Sequence, residues 1–417
     1  MIEIKPRLPK KSAITVPGSK SYTHRILIAA ALSNGTCTIN NGLRSEDTLL
    51  TLKALQQMGI GIEEKDNQLI VQGTNGVFKP SVNPIYLGNS GTSMRLLTAV
   101  AALGDGDYIL TGTDRMAERP IRDLVDSLNQ IGVSAGSVNR DNCPPVKVTG
   151  GTIDGGAVSL NCAISSQFLS ALLLIAPHTT KGMDITITDG PVSKPYIDMT
   201  VDVMQRLGID IDREAYRSFH VRGGQTYRAD TYDVEPDASQ ASYFWASAAI
   251  SGASIKVRGL GMDSRQGDVR LTTVFKTMGC TVAEEPDGIT VTGGRLSAVD
   301  VDMADMPDMV PTLAVVAAFA EGTTTITNVA HLKAKESNRL EAVATELSKM
   351  GIDARATDTG LTICGGHPVG AEIETYNDHR IAMSFAITGL MTPGVVITNE
   401  RCVEKSFPKF WDVFETL

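Results

Sequence analysis

Long apolar runs, paired cysteines and aromatic residues are all scarce in this sequence, and each shortage removes a class of function. The longest apolar stretches, such as LAVVAAFA at 313–320, fall well short of the roughly 20 residues that a membrane-spanning helix needs. Residues 1–20 lack the apolar core of a secretory leader. Cys37, Cys143, Cys162, Cys280, Cys364 and Cys402 form no C-x-x-C pair, and none stands near a histidine at zinc-ligand spacing. His24, His178, His220 and His367 likewise have no metal-spaced partner, while His331 and His379 lie beside basic clusters and point only weakly to a site. Scattered single thiols suit a reducing compartment, so a cytoplasmic protein without a metal centre is expected. Aromatic residues make up 5% of the chain, too few for the exposed aromatic face of a scaffold that docks protein partners. A net charge of −9 argues against nucleic acid and anionic membranes as partners. The phosphate-loop pattern G-x-x-x-x-G-K-[ST] is also missing. Gly18 and Lys20 flank Ser19 with no second glycine upstream at the required spacing, which excludes an ATPase of that kind.

What is present is an ordinary soluble composition, 42% hydrophobic and 20% charged, in a chain of 417 residues that exceeds one core and predicts two domains. Internal repetition gives the plan. LKALQQMG, LVDSLNQIG, VDVMQRLG, LTTVFKTMG and VATELSKMG share helical spacing and close on Gly59, Gly132, Gly208, Gly279 and Gly351, which lie 73, 76, 71 and 72 residues apart. Glycine at that place suits the left-handed turn that ends a helix. Strand-like segments follow: LIVQG, VKVTGG, FHVRGG, ITVTGG and LTICGG. Each unit opens with an earlier helix of small apolar residues, beginning at SYTHRILIAAAL, GTSMRLLTAVAAL, SSQFLSALLLIA, SQASYFWASAAI, DMVPTLAVVAAF and DHRIAMSFAITG. These make six first helices against five complete second halves. The sixth unit runs out at WDVFETL, and the N-terminal segment SAITVPG is expected to supply its last strands. Two groups of three units result. Residues 1–18 and 236–417 form a domain with both termini, and 19–235 form an inserted middle domain.

The starts of the first helices are polar: Lys20 and Ser21; Asn89, Ser90, Gly91 and Thr92; Ser165, Ser166 and Gln167; Asp237 and Ser239; Asp308; and Asp378, His379 and Arg380. Loops before the second helices carry RSED at 44–47, RMAERP at 115–120, SKPY at 193–196, DSRQGD at 263–268, KAKESNR at 333–339 and EKSFPK at 404–409. Taken singly, Ser21, Ser165 and Asp308 read as helix caps. Caps do not account for Lys20, Arg25, Arg119, Lys335, Arg339, Arg380 and Lys405. Cations near helix starts oppose the helix dipole, so their recurrence predicts bound anions. If like ends of the two domains face each other, the loops line a basic cleft.

PGSKSYTHR, LGNSGTSMR, RMAERPI, SSQFLSALL, SKPYIDMT, KAKESNR, YNDHR and CVEKSFPKFW, in this order across nearly the whole chain, resemble the enolpyruvyl transferases, above all the members that act on shikimate 3-phosphate. The resemblance implies an α/β fold of two domains, each of three βαβαββ units (an inside-out α/β barrel), with the active site in the cleft between them. It implies transfer of the enolpyruvyl group of phosphoenolpyruvate to the 5-hydroxyl of shikimate 3-phosphate, releasing phosphate, without a metal or organic cofactor; nothing in the sequence demands more than a monomer. By that likeness Ser21, Arg25, Ser165, Ser166, Ser193, Tyr196 and Lys335 hold shikimate 3-phosphate. Gly91, Thr92, Arg119, Arg339, Arg380 and Lys405 line the phosphoenolpyruvate site, and Lys20 and Gln167 lie near both ligands. Glu336 resembles the acid that protonates phosphoenolpyruvate. Asp308 resembles the base that takes the hydroxyl proton, and Lys20 stabilises charge or relays a proton.

Some positions depart from the pattern. His331 stands where many members have Asn against the shikimate phosphate, and Leu96 where many have Pro. The family's inhibitor glyphosate occupies the phosphoenolpyruvate site, where Gly91 leaves room, so sensitivity is expected. A sister branch acting on UDP-N-acetylglucosamine carries K-N-A near its N-terminus and a reactive Cys on a middle-domain loop. This chain has SKSYTHR and TDRMAERP instead. The presence of both Asp308 and Glu336 also argues against an inactive anion-binding module.

Overall fold

The computed structural model describes residues 1–10 and 12–417. Among them, twelve α-helices come in two kinds. One kind opens each repeat: α1 (Lys20–Leu32), α3 (Gly91–Ala101), α5 (Gln167–Ile175), α7 (Ala238–Ser251), α9 (Val310–Ala317) and α11 (His379–Thr388). The other follows: α2 (Glu46–Gln57), α4 (Arg122–Gln130), α6 (Pro195–Arg206), α8 (Leu271–Thr277), α10 (Arg339–Lys349) and α12 (Phe410–Phe414). Beyond polar residues at its start, the first kind is apolar on all sides and sinks into the core, as a helix without a polar face must; every residue of α9 and α11 is buried, His379 and Arg380 included. Small residues let α9 pack on both α7 and α11. Thr312 Oγ1 lies 3.4 Å from Ser242 Oγ and 3.2 Å from Ser384 Oγ, so a line of hydroxyls joins the three helices. The five closing glycines end the second helices at φ of 92°, 87°, 86°, 112° and 78°, the left-handed turn that glycine makes without strain.

The strands form five four-stranded sheets and one three-stranded sheet among the described residues. One repeat shows the pattern. Gly156–Asn161 runs parallel to Met183–Asp189, which pairs antiparallel with Ser218–Val221, itself antiparallel to Asp212–Glu214. With α5 and α6 between strands, this is βαβαββ. Two repeats take their first strand from elsewhere in the chain: Thr231–Asp233 lies parallel to Thr36–Asn40, and Ser12–Ile14 lies parallel to Ser254–Arg258. SAITVPG therefore opens the fourth repeat and does not complete the sixth. Ile2–Ile4 does that, antiparallel to Val395–Ile397. A three-residue edge strand has the same alternation in either sheet, so only its partner distinguishes the two.

The chain divides into two compact units, Met1–Pro17 with Glu235–Leu417, and Gly18–Val234. Each has its own hydrophobic core. No helix of the described residues is long and apolar enough to cross a membrane.

Candidate active site

In the unit Gly18–Val234, Ser19 caps α1 by accepting from the Tyr22 backbone N–H at 3.4 Å. That leaves Lys20 as the first helical residue and Ser21 inside the helix; Ser21 is not a cap. A lysine there opposes the helix dipole, and the buried Asp47 offsets it, with Lys20 Nζ 3.2 Å from Asp47 Oδ2. One turn on, the buried Arg25 donates to Thr200 Oγ1 at 2.7 Å, the Ser21 carbonyl at 2.9 Å, the Tyr196 carbonyl at 3.0 Å and Ser170 Oγ at 3.3 Å. Burial lowers Arg25 to about 10, so it stays charged at neutral pH. Arg25 thus ties α1 to α5 and α6, a framework role that its motif does not announce.

A second group gathers at the start of α3. Arg119 donates to the Asn89 carbonyl at 3.0 Å and to Asn89 Oδ1 at 3.1 Å. Gln167 donates to Thr92 Oγ1 at 2.9 Å and accepts from Arg95 Nη1 at 2.8 Å. A Cβ on Gly91 would fall against Arg119 Nη2, 2.7 Å from Arg119 Cζ and 2.9 Å from Arg95 Nη1. Arg95 was not among the expected site residues. Its signal is position: four residues after Gly91, it lies on the same helix face. Leu96 is fully buried in α3. Ser165 is not the cap of α5 either, since Ser166 holds that place, but its Oγ accepts from the Gln167 backbone N–H at 3.3 Å. Ser166 is buried at the start of α5. Ser193, also buried, has a φ of 55°, uncommon for a residue with a side chain, and its carbonyl accepts from the Tyr196 N–H at 3.1 Å.

In the other unit, Asp308 sits in the turn Pro307–Met309 before α9. It is no cap either. Arg339 Nη1 lies 2.8 Å from its Oδ1, Arg380 Nη2 2.7 Å from its Oδ2, and Lys335 Nζ 3.6 Å from its Oδ1. Burial alone would raise the Asp308 carboxyl, but Arg380, Lys335 and Arg339 outweigh it and hold it well below the ordinary carboxylate range. Arg339, the first residue of α10, also donates to Glu336 Oε2 at 2.8 Å and to both oxygens of Asp378, at 2.8 and 3.2 Å. Its burial is outweighed by Asp378, Glu336 and Asp308, which keep it charged. Asp378 in turn caps α11 by accepting from the Arg380 N–H at 3.0 Å. Lys405 is buried at the end of the turn Glu400–Lys405, which packs on α11. Asp308, Lys335, Glu336, Arg339 and Arg380 therefore share one network.

His331 lies in the turn Ala330–Ala334, next to Lys335. Burial, and then the Lys335 charge, lowers its imidazole to about 4, so the ring is neutral at pH 7. Its Nε2 is buried and makes no hydrogen bond to the described residues. A neutral imidazole offers an uncharged N–H much as an Asn amide does.

A family profile described as EPSP synthase (3-phosphoshikimate 1-carboxyvinyltransferase) matches residues 4–414. A 3-phosphoshikimate 1-carboxyvinyltransferase of Syntrophobacter fumaroxidans is 42% identical over 410 residues, which cover 98% of this chain and 97% of that protein. The chloroplastic enzyme of that name from Arabidopsis thaliana is 42% identical over 426 residues, covering 97% of this chain and 82% of its own. Among solved structures, EPSP synthase from Acinetobacter baumannii superposes with a TM-score of 0.82 at 30% identity, covering 99% of this chain and 97% of that one. The enolpyruvyl transferase NikO from Streptomyces tendae has the same fold, with a TM-score of 0.80 at 20% identity and coverage of 100% and 96%. The chain belongs to the EPSP synthase (3-phosphoshikimate 1-carboxyvinyltransferase) family.

Proposed function

We propose that this chain transfers the enolpyruvyl group of phosphoenolpyruvate to the 5-hydroxyl of shikimate 3-phosphate and releases phosphate, as a cytoplasmic monomer without metal or organic cofactor. The observation that carries the reading is Asp308 among Arg339, Arg380 and Lys335, with Glu336 on the same arginine. The hydroxyl oxygen bonds to C2 of phosphoenolpyruvate while C3 takes a proton. Asp308 accepts the hydroxyl proton, and Glu336, which must first take up a proton in place of its ion pair with Arg339, supplies the C3 proton. The tetrahedral intermediate then expels phosphate, which leaves with the proton that Asp308 took up, while one C3 proton returns to Glu336 and the double bond is restored. An ionised Asp308 is ready to accept a proton, but three cations make it a weak base. Anionic substrates that pair with Arg339, Arg380 and Lys335 weaken that hold and raise its basicity. The fixed cations stabilise the carboxylate and phosphate through the intermediate without reorganising.

Ser21, Arg25, Ser165, Ser166, Ser193, Tyr196 and Lys335 serve shikimate 3-phosphate, and Asp308 meets its 5-hydroxyl. Gly91, Thr92, Arg119, Arg339, Arg380 and Lys405 serve phosphoenolpyruvate. Lys20 and Gln167 serve both, and His331 donates its uncharged N–H to the shikimate phosphate. The test is release of inorganic phosphate on mixing the protein with both substrates. Wild type is expected to need both, and Lys20→Met to lower kcat by about 10²-fold or more. Phosphate from phosphoenolpyruvate alone, or none with both at saturation, sinks the reading.

Gly91→Ala gives a separate check on the phosphoenolpyruvate side. The new methyl must displace Arg119 or Arg95. The KM for phosphoenolpyruvate is expected to rise about tenfold, equivalent to about 1.4 kcal/mol, with little change for shikimate 3-phosphate. Submillimolar glyphosate is expected to inhibit wild type and to inhibit Gly91→Ala less. Equal effects on both substrates would remove Gly91 from the phosphoenolpyruvate side.

A further inference from the structure

The loop DSRQGD at 263–268 occupies the same place in its repeat as the basic loops of the others, yet no substrate role falls to it. Its last residue, Asp268, is buried in the turn Gly267–Arg270. Gln266 pins the loop: its Nε2 donates to Glu235 Oε1 at 2.9 Å and the Pro236 carbonyl at 2.7 Å, and its Oε1 accepts from the Ala238 N–H at 3.1 Å. Asp268 accepts a short hydrogen bond from Ser239 Oγ, on the second residue of α7. Arg380 Nη2 stands 3.4 Å from the same Ser239 Oγ and 2.7 Å from Asp308 Oδ2.

A serine hydroxyl has one proton. Given to the Asp268 carboxylate, it leaves only lone pairs for Arg380, so the serine accepts from the guanidinium. The direction of the chain Arg380 to Ser239 to Asp268 thus depends on Asp268 being ionised. A protonated Asp268 can instead donate to Ser239, whose own proton then turns toward Arg380 and loses that contact. We infer that Asp268 is a positioning residue for the transfer reaction, acting through Ser239 to fix the Arg380 guanidinium beside Asp308; this rests on the function proposed above.

The groups that face Asp268 are Asp237 and Ser239 from α7, Arg380 from α11 and Asp308 from the turn Pro307–Met309. Tyr243, also on α7, lies close enough to Arg380 to feel its charge. Burial, and then the Asp308 charge, pushes Asp268 up to about 6, inside the working range of an ordinary pH profile.

The experiment is the pH dependence of phosphate release in wild type, Asp268→Asn, Asp268→Ala and Ser239→Ala. Asn keeps an oxygen acceptor for Ser239 but cannot ionise, whereas Ala removes both. Wild type is expected to show an acid-side inflection near pH 6 that both Asp268 variants lack. Asp268→Asn is expected to keep kcat at pH 7.5 within about threefold of wild type, and Asp268→Ala and Ser239→Ala to lose about tenfold. A purely structural role would move melting temperatures but leave the inflection. Wild type that releases phosphate without an inflection near pH 6, or Asp268 variants that retain it, overturns the inference and spares the proposed function. If neither Asp268 variant folds, Ser239→Ala decides: full activity with an unchanged profile overturns the inference. A wild type that makes no phosphate removes the proposed function and this inference together.

Discussion

Asp308→Ala should lower the rate of phosphate release by about 10² to 10⁴, the usual worth of a positioned acid or base. Two losses combine in that variant. The proton acceptor goes, and so does the carboxylate that Arg339, Arg380 and Lys335 share. Asp308→Asn separates them, because the amide keeps the shape but can neither ionise nor accept a proton as a base. If Asn is as slow as Ala, proton transfer is what matters; if Asn runs within about threefold of wild type, Asp308 is not the base. Stability gives a second readout. The folded-state pKa of Asp308 is depressed, so its contribution is present above the unfolded carboxyl value, ordinarily about 3.9, and is lost as pH falls through the folded value. Asp308→Asn should therefore flatten the loss of stability on acidification. An acid-unfolding curve parallel to wild type would show that the cations do not hold the carboxylate as the geometry implies.

Arg339→Met should have the largest effect on folding. Arg339 is 1% exposed and meets Asp308, Glu336 and Asp378, the last wholly buried. Removing the cation takes this counter-charge from Glu336 and Asp378, while Asp308 keeps Arg380 and Lys335. Breaking a buried pair from one side costs about 3–5 kcal/mol, and each kcal/mol lowers the melting temperature by about 2–4 °C in a unit of this size. Arg339→Lys should recover only part, since an ammonium cannot form the two-pronged contact with Asp378. Melting of Arg339→Met within about 2 °C of wild type would show that the network adds no net stability. That outcome is physically coherent, because desolvation opposes every buried ion pair.

Helices were legible where chemistry left one choice. The small apolar runs from Ile26 to Leu32 and from Val310 to Ala317 have no polar face, so they could only be buried. Gly59 and its four counterparts mark helix ends because a residue with a Cβ enters the left-handed turn only at a cost. The partner of Ser12–Ile14 was not legible, since three alternating residues fit either sheet edge. The basic motifs around Lys20, Arg119 and Arg339 stand out by composition, but the identity of each counter-charge does not. Asp47, Asp378 and Asp268 lie 27, 39 and 29 residues from the groups they bond, and only folding brings them there. Arg95 reads as one more helix residue until Gln167 arrives from another helix. The neutrality of His331 follows from burial and the adjacent Lys335 charge, neither of which a sequence letter carries.

Pairing of Ile2–Ile4 with Val395–Ile397, and of Ser12–Ile14 with Ser254–Arg258, sets an order of assembly during synthesis. These strands leave the ribosome before Gly18–Val234, and their partners emerge only after all of that unit has been made. The inserted unit can mature while the leading segment waits with open edges. Translation must pass Ile397 before the sheet containing Ile2 can close.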